Sequence, residues 1–389
     1  MTTLLTAGTV VAAGTAAPGW VAVDGDRITA VGHDAPPAAD ERRDLGADAV
    51  LVPGFVDQHV HGGAGAAFTG GDTAEALRAV RFHRAHGTTT TVASLVAAGP
   101  AELRRDVAAL AELVADGELA GVHLEGPWLA AARCGAHDPA QLRDPDPAEL
   151  APLLASGVVR MVTLAPERAG GLAAIRQIAE AGVVAAVGHT DASYALTRKA
   201  IAAGARVGTH LFNAMAPVHH REPGPAIALM EDPRVVVELV TDGLHVHPAL
   251  WTHVLAAAGA DRVAAVTDAM AAAGMPDGDY HLGALRVTVA DRVARVAGAD
   301  GPGPIAGSTA TTADLFALIV AHAEVPRADA LLRAVAMTAT TPARALGLAG
   351  EVGALEPGAR ADLVVLDAEL RVREVHRAGR VVDAVPLAG

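Results

Sequence analysis

The chain has 389 residues and is 51% apolar, which suits one large barrel or two domains better than one plain domain. A formal charge of −14 argues against nucleic acid or an anionic membrane as partner, so an anionic substrate would have to be held by local donors. Cys134, the single cysteine, excludes an internal disulfide and fits a reducing, cytoplasmic setting; the N-terminus does not read as a signal peptide, and no apolar run is long enough for a membrane span.

In chain order, residues 1–50 read as short strands at 5–11, 19–24 and 27–31, with a hairpin signal at Asp24-Gly25-Asp26. Residues 351–389 read the same way, with strands at 361–366, 372–378 and 380–385. Neither end makes a stable sheet alone, so the economical reading is one small discontinuous β-sandwich domain, 1–50 plus 351–389. Between them, 51–350 alternates strands (51–61, 88–95, 120–125, 159–165, 183–189, 206–212, 235–241, 263–268) with amphipathic helical stretches such as 74–86, 101–115, 171–181, 193–203 and 248–258. Pro147 and Pro248 suit helix starts, and Gly87, Gly182 and Gly204 suit helix stops. This rhythm predicts an α/β fold, a (β/α)8 TIM-type barrel; an open doubly wound sheet lacks its glycine fingerprint here. Residues 298–307 are expected to be a loop.

Chemistry gathers at the predicted strand ends, where such barrels place their sites. Strand one ends in His59-Val60-His61, whose alternation puts both imidazoles on one face, before glycines that turn the chain away. Strand three ends in Glu125, strand five in His189, strand six in His210 and strand eight in Asp268. Any one of these could be an ordinary buried, hydrogen-bonded polar residue. Together they have the composition a divalent ion of zinc or iron type requires.

The same segments resemble the amidohydrolase superfamily, and within it the amino-sugar 6-phosphate deacetylases. The match includes His-Leu-Glu-Gly-Pro-Trp at 123–128, Gly-Ala-His at 135–137, Gly-His-Thr-Asp-Ala at 188–192, His-Leu-Phe-Asn-Ala-Met at 210–215, Arg-Glu-Pro-Gly at 221–224, Asp-Gly-Leu-His at 242–245, Thr-Asp-Ala-Met at 267–270 and Ala-Gly-Ser at 306–308. The resemblance implies that Glu125, His189 and His210 hold the main metal ion and that His59 and His61 complete a second position, with Glu125 bridging. One or two divalent ions, zinc or iron, are therefore expected. Lys199, the only lysine, falls in the helix after strand five, so the carboxylated-lysine bridge of other superfamily members is excluded.

The implied activity is hydrolysis of the acetamide of N-acetylglucosamine 6-phosphate to glucosamine 6-phosphate and acetate. Asp268 would act as general base and then acid, and His137 would polarise the carbonyl. Asn213, the backbone of Ala214, His245 and Arg221 would bind the phosphate, with Arg221 reaching in from the second subunit of a homodimer. Ala136, Ile305, Ala306 and Gly307 resemble sugar-contacting positions. The alternatives are another N-acyl amino sugar such as N-acetylgalactosamine 6-phosphate and, more remotely, a non-catalytic binding barrel. His123, Asp191 and Asp242 read as supporting or capping residues, His247 as a competitor of His245, and Cys134 as a free thiol.

Overall fold

Parallel strands covered on both faces need unbroken apolar or β-branched runs, and this chain supplies them. Thr88–Leu95 (TTTTVASL) is buried at every position, as is Gly121–Glu125. The computed structural model describes residues 1–298 and 301–382. Among them, eight parallel strands form one sheet in sequential order: Phe55–Val60, Thr88–Leu95, Gly121–Glu125, Val159–Leu164, Val184–Val187, Ala205–Gly208, Val236–Leu239 and Val263–Ala265. They are barrel strands one to eight. Past strand eight the chain closes onto strand one: the Asp268 N–H donates to the His59 carbonyl at 2.9 Å and the His61 N–H to the Ala269 carbonyl at 2.7 Å.

The helices between strands follow local rules. Pro100–Ala115 starts with proline in its first turn, where no N–H partner is lost, and Glu102 accepts the Gly99 N–H at 3.1 Å. Its buried Leu103, Val107, Leu110 and Leu113 follow helical spacing. Lys199 sits exposed on the helix Tyr194–Ala203.

Two expectations need correction. Strand one does not begin at residue 51: Val50–Pro53 is a separate strand that pairs with Thr9–Val10 and Leu363–Leu366, and Gly54 intervenes. Of the span 298–307, expected to be a loop, residues 299–300 lie outside the described ones and 301–305 are a strand. Gly278–Leu282, Leu285–Ala290, Val293–Gly298 and Gly301–Ile305 form a four-stranded antiparallel sheet between barrel strand eight and the next helix. Its strands are short and half-polar, with Val287 and Val289 buried between exposed neighbours, so their alternation is weak in composition. The last strand carries Gly301 and Gly303, which obscure it further.

By compactness the chain divides into two units, 1–57 with 81–90 and 311–389, and 58–80 with 91–310. The division falls inside barrel strands one and two. In the first unit both chain ends share a sheet, in the order 380–381, 372–377, 363–366, 50–53, 2–12, 15–24, 27–32, with Glu41–Asp44 also against the long first strand. Its core alternates along that strand, with Leu5, Ala7 and Val10 facing Val21, Leu51 and Leu363 while Leu4 packs with Trp20 and Ala22. The predicted strand 380–385 is seen as Arg380–Val381; residues 383–385 lie outside the described ones. The helices Thr312–Ala321 and Arg327–Val335 belong to this unit because they pack on each other and the latter on the terminal strands.

Phe316 stacks on Phe55 with ring centroids 5.4 Å apart, and both are wholly buried. Phe316→Ala is therefore expected to cost about 3–5 kcal/mol of stability. A denaturation midpoint equal to wild type would show that this stack carries no such weight.

Candidate active site

A cavity of about 340 Å³ opens at the carboxyl ends of the barrel strands, lined by His61, Glu125, His137, His189, His210, His245 and Asp268 among others. Several of these residues sit in backbone conformations that side chains seldom adopt. His189 (φ 47°), His210 (φ 26°) and Asp268 (φ 48°) each turn left-handed just past a strand end, which aims the side chain inward. Asp268 is held on both sides, by its own N–H bond to His59 and by the Ser308 N–H donating to its carbonyl at 2.7 Å. Gly307 must be glycine here, because a Cβ would lie 2.7 Å from that same carbonyl oxygen and its φ is +74°.

The centre is Glu125. Its Oε1 lies 3.0 Å from His189 Nε2 and 2.9 Å from His210 Nε2, and those two nitrogens are 3.0 Å apart. Its Oε2 lies 3.1 Å from His61 Nε2 and 3.3 Å from His137 Nε2. His59 Nε2 is 3.2 Å from His61 Nε2 and 3.5 Å from both Glu125 Oε1 and Asp268 Oδ1, and His61 Nε2 is 3.2 Å from Asp268 Oδ1.

Hydrogen bonds on the far ring nitrogens decide what these imidazoles present. His189 Nδ1 is 2.9 Å from the Arg133 carbonyl oxygen, which can only accept, so Nδ1 carries the hydrogen and the tautomer this bond selects has its Nε2 lone pair facing inward. His59 Nδ1 is 3.0 Å from the Glu238 carboxylate, so once this ring gives up its extra proton its Nε2 lone pair also faces inward. Lone pairs facing one another and a carboxylate at about 3 Å repel unless a cation lies between them. Tetrahedral zinc-type sites with bonds of about 2.0–2.1 Å place their ligand atoms roughly this far apart. The donor set therefore fits a divalent cation.

His137 differs. Its Nδ1 accepts the Ala97 N–H at 3.1 Å, so its neutral Nε2 carries hydrogen and is a donor. Burial lowers it to about 4, against the pull of Glu125, which keeps it neutral near pH 7. Although His137 lies with Glu125 and His189 among groups close enough to share an ion, its tautomer suits donation to a substrate oxygen.

Burial opposes charging His61, but hydrogen bonds to Asp268 and Glu125 outweigh it and raise it to about 9; His59 is raised for similar reasons by Glu125, Glu238 and Asp268. Burial would raise Asp268, yet His59 and His61 hold it below the usual carboxylate range. His245 is raised by Asp242, which its Nδ1 meets at 2.7 Å, against the effect of burial.

Ala136, Asn213, Ala214, Ile305 and Gly307 line the cavity, whereas Ala306 is buried behind it. Asn213 Nδ2 turns back to the carbonyls of His210 and Leu211 at 3.2 and 3.3 Å. Arg221 does not line its own chain's cavity; it is exposed and donates to His220 Nε2 at 2.8 Å. His123 is spoken for by Ser94 Oγ (2.9 Å) and Thr163 Oγ1 (2.8 Å), and Asp191 pairs with Arg133 at 2.8 Å. His247 caps the helix Pro248–Ala258, and Cys134 is a free thiol.

Sequence reasoning overlooked Glu238, Gln58 and the cavity-lining Arg133. The signal for Glu238 was present: one carboxylate inside the apolar run Val235–Val240.

A parallel α/β barrel with imidazoles and carboxylates converging at its mouth defines a barrel hydrolase equipped for a metal ion. The chain belongs to the amidohydrolase family, whose model matches residues 50–384. It is 36% identical over 341 residues to N-acetylgalactosamine-6-phosphate deacetylase of Escherichia coli O157:H7, covering 86% of this chain and 88% of that one. It is 35% identical over 339 residues to N-acetylglucosamine-6-phosphate deacetylase of Vibrio furnissii, covering 85% and 82%. A solved N-acetyl-D-glucosamine-6-phosphate deacetylase from Mycobacterium smegmatis, an aspartate-to-alanine mutant in complex with N-acetyl-D-glucosamine-6-phosphate, is 56% identical with a TM-score of 0.94, covering 98% and 99%.

In the metal-free chain His61 holds its proton up to about pH 9 and His59 is raised in the same direction, so a metal ion taken up by these two rings would have to displace those protons. Apparent metal affinity should thus rise with pH from 6 to about 9 and then level off, and binding at pH 7 should release protons, as calorimetry in buffers of differing ionisation enthalpy would show. A pH-independent affinity across that window would contradict this protonation scheme.

Proposed function

We propose that this chain hydrolyses the acetamide of N-acetylglucosamine 6-phosphate, giving glucosamine 6-phosphate and acetate. The observation that carries the reading is the convergence of Glu125, His189, His210, His137 and Asp268 on one cavity, in a chain so similar to deacetylases of this substrate. Glu125, His189 and His210 would hold one ion, and His59 and His61 with Glu125 a second; zinc and iron both accept such ligands. When bound, a divalent cation supplies Lewis acidity and brings the pKa of water toward neutrality.

The chain's own groups do the rest. Asp268 faces the cavity as a carboxylate and takes a proton from the water that attacks the acetyl carbon. The His137 Nε2–H donates to the carbonyl oxygen as negative charge develops there. Asp268 then returns its proton to the nitrogen, so the C–N bond breaks with an amine, not an amide anion, as leaving group.

The sugar would lie against Ala136 and the edge formed by Ile305 and Gly307, with Ala306 packed behind them. Its phosphate would meet Asn213, the Ala214 N–H, His245 and Arg221 of a second copy of the chain. Val218, Leu244 and Leu250 are exposed apolar residues on the segments that follow strands six and seven, which suits a homodimer with Arg221 at its contact. The setting would be cytoplasmic. Among the described residues no helix is long and apolar enough to cross a membrane.

The similarity to an N-acetylgalactosamine-6-phosphate deacetylase favours a second reading, in which the 4-epimer is the substrate. Rates of acetate release from the two 6-phosphate epimers decide between them.

Asp268→Asn is expected to lower kcat about 10²- to 10⁴-fold. Acetate release at the wild-type rate would remove Asp268 as the base. Arg221→Ala is expected to raise KM for the 6-phosphate sugar about tenfold while leaving hydrolysis of the unphosphorylated sugar unchanged. An equal effect on both sugars would show that the arginine does not read the phosphate.

A further inference from the structure

Barrel strand seven, Val236–Leu239, is buried throughout, and Glu238 is its one carboxylate, with no exposed surface. A side chain like this is expensive to desolvate, and an apolar residue would suit the strand better. No arginine or lysine pairs with Glu238 among the described residues. Its contacts run instead to the site. Glu238 Oε2 lies 3.0 Å from His59 Nδ1 and accepts the backbone N–H of His210 at 3.2 Å, while Oε1 accepts from Gln58 Nε2 at 2.7 Å.

These contacts reach two other strand ends. On strand one, the carboxylate accepts a hydrogen bond from the Nδ1–H of His59. That leaves Nε2 as a lone pair aimed toward His61 Nε2 (3.2 Å) and toward Glu125 and Asp268 (3.5 Å each). A carboxylate behind an imidazole fixes the ring's orientation and strengthens the far nitrogen as a ligand. On strand six, the same oxygen ties down His210 where its backbone turns left-handed at φ 26°.

We propose that Glu238 is the positioning residue of the second cation position. It holds His59 as an Nε2 ligand, so the His59–His61 position takes its ion through a Glu238–His59 pair, while at the Glu125, His189 and His210 position Glu238 meets only the His210 backbone N–H and no ligating side chain. This rests on the reading of His59 and His61 as ligands. The rival account is a buried ion pair that only stabilises the barrel, with no bearing on cation affinity.

The test strips full-length protein of metal and titrates it with Co(II), reading stoichiometry, visible absorption and calorimetric affinity without any substrate. Wild type is expected to take two ions. Glu238→Leu should weaken the second ion about 10- to 100-fold and leave the first within about threefold. Glu238→Gln, which keeps the shape and an acceptor oxygen for His59 and His210, should recover part of that loss, and it decides the matter if the leucine variant does not fold. His59→Ala combined with Glu238→Leu should be no worse for the second ion than His59→Ala alone, since both act through one ring.

The proposal is overturned if the Glu238 variants bind the second ion as wild type does, or if the two substitutions add in full. Wild type that takes no cobalt refutes the metal reading itself, and wild type that takes two but releases no acetate refutes only the substrate reading.

Discussion

Nitrogen lone pairs cannot face one another and a carboxylate across about 3 Å in a buried place unless positive charge lies between them. His189, His210 and Glu125 meet under this constraint, and His59 and His61 meet beside them. The far ring nitrogens of His189 and His59 are committed to a backbone carbonyl and a carboxylate, so these rings cannot relieve the clash by changing tautomer. Protons can supply the charge, which is why His59 and His61 are raised. A divalent cation supplies it better, because it satisfies several lone pairs at once.

The surrounding fold serves that cluster. The barrel closes by backbone hydrogen bonds between the ends of strands eight and one, at Asp268 and His59, so two members of the cluster around Glu125 lie on the seam itself. Left-handed backbone at His189, His210 and Asp268 stores conformational cost where the geometry must be sharpest. The antiparallel insertion after strand eight contributes Leu282, Pro304, Ile305 and Gly307 to the cavity wall, which a plain barrel would leave open on that side.

Two imidazoles of similar burial take opposite parts because of one backbone group each. The Arg133 carbonyl makes His189 an inward lone pair, and the Ala97 N–H makes His137 an inward donor. An inward lone pair and an inward N–H are thus provided without any difference in residue type. For an anionic substrate, a chain of charge −14 must also rely on local donors. Asn213, Ala214, His245 and Arg133 all line the cavity, although Arg133 is already paired with Asp191.

The sequence by itself determined the alternation of strands and helices, the pairing of both termini in one sheet and the residue types at the strand ends. The alternation and the strand ends depend on periodicity and on residues close together in the chain, since His59 and His61 share a face because strands repeat every two residues, and the shared sheet follows because neither end can make a stable sheet alone. Only the tertiary structure decided that Val50–Pro53 leaves the barrel for the terminal sheet, that the strands within 278–298 and 301–305 form a sheet of their own, and that Glu238 stands behind His59, 179 residues away. It also decided the tautomers that His59, His137 and His189 present to the cavity. A tautomer is set by the partner on the other side of the ring, and that partner is brought there by the closing of the barrel, not by neighbouring residues in the chain.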